Sequence, residues 1–222
     1  SWIMKRLLVD LSALYNTYSG LGQVALSYGR YFAKHYKADK ADYRLYLLLP
    51  KKYFGAFGSE IHYISSDNWW LRHCRYLFPK FDVWHSIDQL TRFKPSSATT
   101  KHIVTIHDLN YLYEEKDAKK RATAQRRIQR TIKKAIQIVC ISDFTKREVE
   151  RNFSLDGKLC RVIYNQVKQL DVSKAQKPDI DIRAPFFFAI GVLVEKKNFH
   201  VLLDLMKLLP EKHLYVAGKD GY

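Results

Sequence analysis

The stretch Gln137–Asn152, QIVCISDFTKREVERN, decides the fold class. It opens on a strand, Gln137–Ile141, that is continuously apolar after its first residue, without the alternation of a strand that meets water on one side. Ser142 follows as an N-cap residue, and Asp143 places negative charge where a helix start favours it. Phe144–Asn152 then reads as a helix. A strand buried on both faces that passes through a cap into a helix is half of a βαβ unit.

The flanking residues repeat the pattern. Upstream lie the strand His102–Ile106 and the long basic helix Ala118–Ala135; downstream lies the strand Cys160–Ile163. Earlier strands are Lys5–Asp10, Tyr43–Leu49 (stopped by Pro50), Ile61–Ile64 and Phe81–His85. Val24–His35 reads as a helix with Val24, Ala25, Tyr28, Tyr31 and Phe32 on one face. Trp69–Phe78 suits a short helix ended by Pro79. Strands alternate with helices throughout, with no internal repeat, so the class is α/β with a doubly wound parallel sheet. Val167–Arg183 is polar, carries a proline and has no period, so it reads as a linker. A new βαβ signal follows in Phe186–Ile190, Phe199–Leu209 and His213–Ala217, with Gly191 at the turn. The expected organisation is a first domain over 1–166, a linker over 167–184 and an incomplete second domain over 185–222.

Composition narrows the class further. The chain of 222 residues is 47% hydrophobic, which excludes a disordered tail. No apolar run approaches the roughly 18–20 residues that span a bilayer, and Ser1–Asp10 lacks the apolar core of a signal peptide. Three cysteines, Cys74, Cys140 and Cys160, are odd in number and stand in no CxxC spacing. They argue against a disulfide framework or zinc site and for a reducing, cytoplasmic setting. The net charge of +16 fits an anionic partner: nucleic acid, a membrane surface or an anionic substrate.

Two local patterns carry chemistry. Gly20 and Gly22 lie between a strand and a helix, where glycine lets backbone approach a ligand and a helix start offers N–H groups to an anion. His107-Asp108 follows the strand His102–Ile106, and the carboxyl ends of parallel strands are where open α/β sheets hold ligands.

Five stretches in order resemble one family: SGLGQ (Ser19–Gln23), TIHDL (Thr105–Leu109), CISDFTKREV (Cys140–Val149), VIYN (Val162–Asn165) and AIGVLVEKKNFHVLL with LYVAGKDGY (Ala189–Tyr222). The set is similar to the family 4 retaining glycosyltransferases, the group-1 type with two Rossmann-like domains (the GT-B fold). The resemblance implies an acceptor-side first domain and a nucleotide-sugar second domain, truncated here, so that this chain alone is expected to be inactive. It implies a nucleotide diphosphate sugar as co-substrate, a saccharide or lipid-linked acceptor, and no cofactor or metal. It implies donor-binding roles for Gly20, Gly22, Gly191, Lys196 and Lys197, and a role near the transferred sugar for His107. Asp108 then fixes either the loop or the imidazole tautomer. Gln23 and Val192 stand where the family often carries Arg. The transferred group is expected to be a hexose, mannose being the first candidate, in polysaccharide or glycolipid synthesis.

Lys119–Lys134 holds eight basic residues and no acid. It reads either as a contact for the anionic inner face of a membrane, with Trp69, Trp70, Tyr76 and Phe78 as anchors, or as a solvated helix whose Ile128 and Ile132 pack on the sheet. Two other functions stay open: a catalytically inert GT-B relative serving as a binding module, and a basic nucleic-acid binder. For the second, no helix-turn-helix, RRM, KH or zinc pattern is present.

Overall fold

The computed structural model describes residues 4–167 and 171–218, the side chain of Lys196 excepted. The chain divides into two compact units, Ser1–Lys168 and Gln169–Tyr222. In chain order the first unit contains β1 (Lys5–Asp10), α1 (Gly20–His35), β2 (Tyr43–Leu49), β3 (His62–Ser65), α2 (Trp69–His73) and β4 (Val83–Ser86). It continues with β5 (Lys101–Ile106), α3 (Tyr111–Glu114), α4 (Ala118–Lys134), β6 (Gln137–Cys140), α5 (Asp143–Asn152) and β7 (Cys160–Val162). The seven strands form one sheet in the order β3-β2-β1-β4-β5-β6-β7, with every neighbouring pair parallel. This is the Rossmann-like doubly wound sheet. The chain steps outward from β1 to β3, then returns to the free edge of β1 with β4. That reversal leaves a crevice beyond the carboxyl ends of β1 and β4, the usual ligand position in such sheets.

Strand residues alternate between the two faces. Val9 packs with Leu45, Leu47 and Ala25 of α1, whereas Leu8 packs with Leu48, Phe81 and Trp84 on the other face. Val104, Ile106, Ile138 and Cys140 meet Ile128 and Ile132 of α4 and Val149 of α5. The intervening residues His85, Thr105 and Val139 face a cleft whose other walls are α1 and the segment after β7.

Several boundaries differ from the sequence expectation for local reasons. The first helix starts at Gly20 and not at Val24, because the Ser19 side chain caps it. The Trp69–Phe78 helix breaks at Cys74, which is extended at φ −128°, leaving α2 and a 3-10 turn over Arg75–Leu77. Phe81 belongs to the core rather than to β4, which opens at Val83. The 3-10 turn Ser12–Tyr15 and the short α3 have no periodic signal in the sequence.

In the second unit, β8 (Phe186–Ile190), α6 (His200–Leu208) and β9 (His213–Ala217) form one βαβ with parallel strands. Among its described residues none is buried, and Phe188, Ile190, Leu203 and Leu208 are among the apolar side chains it exposes.

Candidate functional site

The rim of the first sheet begins at Asp10, the last residue of β1. Its carboxylate is 2% exposed, accepts the Ser12 N–H at 2.9 Å and accepts the Thr91 hydroxyl at 2.5 Å. Burial pushes its pKa up, against the pull of the Ser12 and Thr91 hydrogen bonds, with the charge of Asp88 adding to the rise. Asp10 is absent from the residues singled out by sequence; an acid directly after the apolar run Leu7–Val9 is the signal for it.

Downstream, the Ser19 hydroxyl accepts the Gly22 N–H at 3.0 Å and donates to the Asn16 carbonyl at 2.8 Å. Gly20 and Gly22 therefore form the first turn of α1 and not a loop. A Cβ on Gly22 would lie 2.0 Å from the Asn16 oxygen, so glycine there serves closure of its own loop. A Cβ on Gly20 would meet nothing within 4 Å. With Gly22 engaged by Ser19, the donors at this helix end without an intrahelical partner are the N–H groups of Gly20 and Leu21. The Gln23 side chain is tied to the same loop, its amide donating to the Thr17 carbonyl at 2.5 Å.

His107 follows β5 on the same rim as Gly20, since both come after carboxyl ends of parallel strands. Its Nε2 lies 2.7 Å from the Ile87 carbonyl. A carbonyl only accepts, so Nε2 carries the proton and Nδ1 is the atom left to accept, or to donate once the ring is charged. Gln89 holds the turn from both sides: Oε1 accepts the His107 N–H at 3.2 Å, and the side-chain amide donates to the Asp108 carbonyl at 2.9 Å. Thr145 donates to the His107 carbonyl at 3.0 Å. Asp108 is exposed, and its carboxylate accepts the Asn110 N–H at 3.1 Å. It fixes the loop, and Ile87 fixes the tautomer. Ser142 accepts the Thr145 N–H at 3.1 Å, the N-cap role that its sequence position implies.

A cleft of ≈ 470 Å³ opens on the α1 side of the strands. His85 and Thr105 form its floor, joined at 2.8 Å between Nε2 and Oγ1. Burial pushes the His85 pKa down to about 4, the neighbouring His107 adding to the effect, so His85 is neutral and acts as a hydrogen-bonding group. Tyr28 of α1 meets the His85 ring edge-on at 5.6 Å. Tyr164 closes the far wall and donates to the Asp143 carboxylate at 2.6 Å. Aromatic walls with a few fixed polar groups suit a small polar ligand. The cleft and Gln89 were not foreseen, because their parts are scattered along the chain.

In the second unit, Lys197 is exposed and ends a 3-10 turn, Glu195–Lys197. Asn198 follows in the left-handed region at φ 56°, and α6 starts only at His200. Asn198 thus closes a turn and does not open the helix. Gly191 donates to the Ala217 carbonyl at 3.0 Å, and a Cβ on Gly218 would meet the Gly191 oxygen at 1.7 Å, so the turns after β8 and β9 touch through backbone. The side chain of Lys196 lies outside the described residues. Asp179 and Asp181 have an Asp-x-Asp spacing, but Asp181 pairs with Arg183 at 3.0 Å. Among the described residues no group of three or more His, Cys, Asp or Glu is placed to hold a metal.

The family model described as Glycosyltransferase Family 4 matches residues 24–168, within the first unit. A curated relative, the O-antigen chain mannosyltransferase RfbU of Salmonella typhimurium, is 21% identical over 155 residues. That match covers 64% of this chain and 42% of the relative. With the family model covering more than half of the residues and the sheet topology in agreement, the chain belongs to Glycosyltransferase Family 4.

Proposed function

We propose that the chain is the acceptor-side domain, with part of the donor side, of a retaining glycosyltransferase. It moves a hexose, mannose first, from a nucleotide diphosphate sugar to a saccharide or lipid-linked acceptor in polysaccharide or glycolipid synthesis. Family membership supports glycosyl transfer, and the name of the Salmonella relative supports mannose and a polysaccharide product. The observation that carries the site is His107, held at the carboxyl end of β5 with Nε2–H on Ile87 and Nδ1 turned to other use.

The chemical need of such a transfer is to stabilise the negative charge that develops on the departing diphosphate. In this reading the free N–H groups of Gly20 and Leu21 and the dipole of α1 serve that charge. His107 Nδ1 accepts from a sugar hydroxyl when neutral and donates to the leaving oxygen when charged. Gly191, Lys196 and Lys197 keep the donor-binding roles proposed for them. In this reading the protein works in the cytoplasm, with the inner face of the membrane as a surface for it. Contact with that surface through Lys119–Lys134 is electrostatic only, because Ile128 and Ile132 are wholly buried. Phe78 is 4% exposed and no anchor, whereas Trp69, Trp70 and Tyr76 face outward. Among the described residues no helix is long and apolar enough to cross a membrane.

The test is transfer from a panel of nucleotide diphosphate hexoses, by the 222-residue chain and by any longer natural chain that contains it. In an active chain His107→Ala lowers kcat by about a hundredfold, and Lys197→Ala lowers kcat/KM by at least about a hundredfold. Val192→Arg leaves activity unchanged or raises it. Absence of transfer in every chain moves the inert binding-module reading ahead, which the valine at position 192 favours.

A further inference from the structure

Away from the rim, a cavity of ≈ 420 Å³ lies between α4 and the crossover that joins β4 to β5. Five cationic side chains line it, Arg75, Lys94, Arg127, Arg130 and Lys134, and its wall contains no carboxylate. Arg127, Arg130 and Lys134 stand at i, i+3 and i+7 along α4, so one stripe of that helix turns toward the crossover. The cavity sits toward the amino end of the strands, beside His102 near the start of β5 and Lys134 at the last turn of α4. It is therefore separate from His107 and the rim.

Three of the five cations are held by contacts, whereas Arg130 and Lys134 are exposed. Lys94 donates to the Thr131 hydroxyl at 3.1 Å, and Arg127 donates to the Leu90 carbonyl at 2.8 Å. Arg75 lies over the Tyr76 ring at 5.0 Å. Burial pushes Lys94 down to about 8, opposed by Asp10 and Asp88 and reinforced by Arg127 and Lys134, so it stays charged at neutral pH. His102 is neutral, pushed to about 3 chiefly by burial, and its Nε2 pairs with Ser86 at 2.9 Å. Five like charges around one hollow repel each other, and a multiply charged anion relieves that repulsion. The planar forks of three arginines match phosphoryl oxygens, and the volume suits a small molecule.

We propose that this cavity binds a phosphoryl polyanion, as a free diphosphate or as the phosphorylated headgroup of a lipid. The proposal stands apart from the transferase reading, and its failure would leave that reading untouched. The test is calorimetric titration of the 222-residue chain with inorganic pyrophosphate. Saturable binding is expected, weakened about tenfold or more in the double variant Arg130→Gln/Lys134→Gln. Lys37→Gln/Lys40→Gln removes the same charge from the exposed segment after α1 and should change affinity by less than about threefold. If the first double variant does not fold, as judged by circular dichroism, Arg75→Gln takes its place. Co-sedimentation with phosphatidylcholine vesicles, with and without phosphatidylglycerol, separates the sources. Binding to the anionic vesicles that pyrophosphate displaces and Arg130→Gln/Lys134→Gln abolishes assigns a headgroup; pyrophosphate binding without vesicle binding assigns a free ligand. Absence of saturable pyrophosphate binding, or equal losses in the two double variants, overturns the proposal.

Discussion

Gly20 and Gly22 are two residues apart and have different work to do. Gly22 lies against a backbone carbonyl, with only 2.0 Å between its hypothetical Cβ and the Asn16 oxygen. That oxygen belongs to a loop already tied down by Ser19, so Gly22→Ala forces the loop to move. It should cost about 1–3 kcal/mol, as overpacking does, read as a lower urea midpoint at unchanged slope. Gly20 has open space around it, and alanine is the better helix former by up to about 1 kcal/mol. Gly20→Ala should therefore leave stability unchanged or raise it. If the two substitutions cost the same, the close approach at Asn16 is not what holds this turn.

At the scale of elements, α4 resolves a question that its composition leaves open. A helix this basic reads equally as a membrane contact and as a solvated face, and burial of Ile128 and Ile132 assigns its apolar stripe to the core. Its start depends on Asp117, whose carboxylate accepts the N–H groups of Lys119 at 2.8 Å and Lys120 at 3.3 Å. Asp117→Ala should cost about 1 kcal/mol in urea denaturation, the usual worth of an N-cap. The βαβ of the second unit is the opposite case, with no buried residue among those described. Two strands and a short helix cannot offset the entropy of ordering themselves. Expressed alone, 169–222 should show no cooperative thermal transition by circular dichroism, whereas 1–168, with three packed clusters, should melt cooperatively.

For the whole molecule, the buried histidines set the response to acid. His85 and His102 have folded pKa values pushed down to about 4 and about 3, mainly by burial, from an ordinary value of 6.5. Below pH 6.5 the unfolded chain takes up protons that the folded chain refuses, so stability falls with pH from there toward 4 for His85 and 3 for His102. Asp10 works the other way, because its raised pKa lets the folded state protonate first. Comparison of urea unfolding at about pH 7 and about pH 5 should show a loss that His102→Gln reduces by about 1–2 kcal/mol. An equal loss in wild type and variant would mean that His102 already carries a proton in the folded state.

Much of this architecture is written locally. A short, largely apolar strand, a cap residue and a helix with one apolar face are properties of neighbouring residues, so β1, β2, β8 and β9 fall on their sequence boundaries. The ordered motifs likewise carry the family and bring His107 to a strand end. The partners of those residues are another matter. Thr91 reaches Asp10 across 81 positions, and Gln89 reaches His107 across 18. Neither spacing has a period, because such contacts depend on strand order in the sheet and not on distance along the chain. The same holds for α4: its basic stripe is visible in the sequence, but only packing turns Arg127, Arg130 and Lys134 toward the crossover that carries Lys94. Periodicity decides which residues share a face; the tertiary fold decides what that face meets.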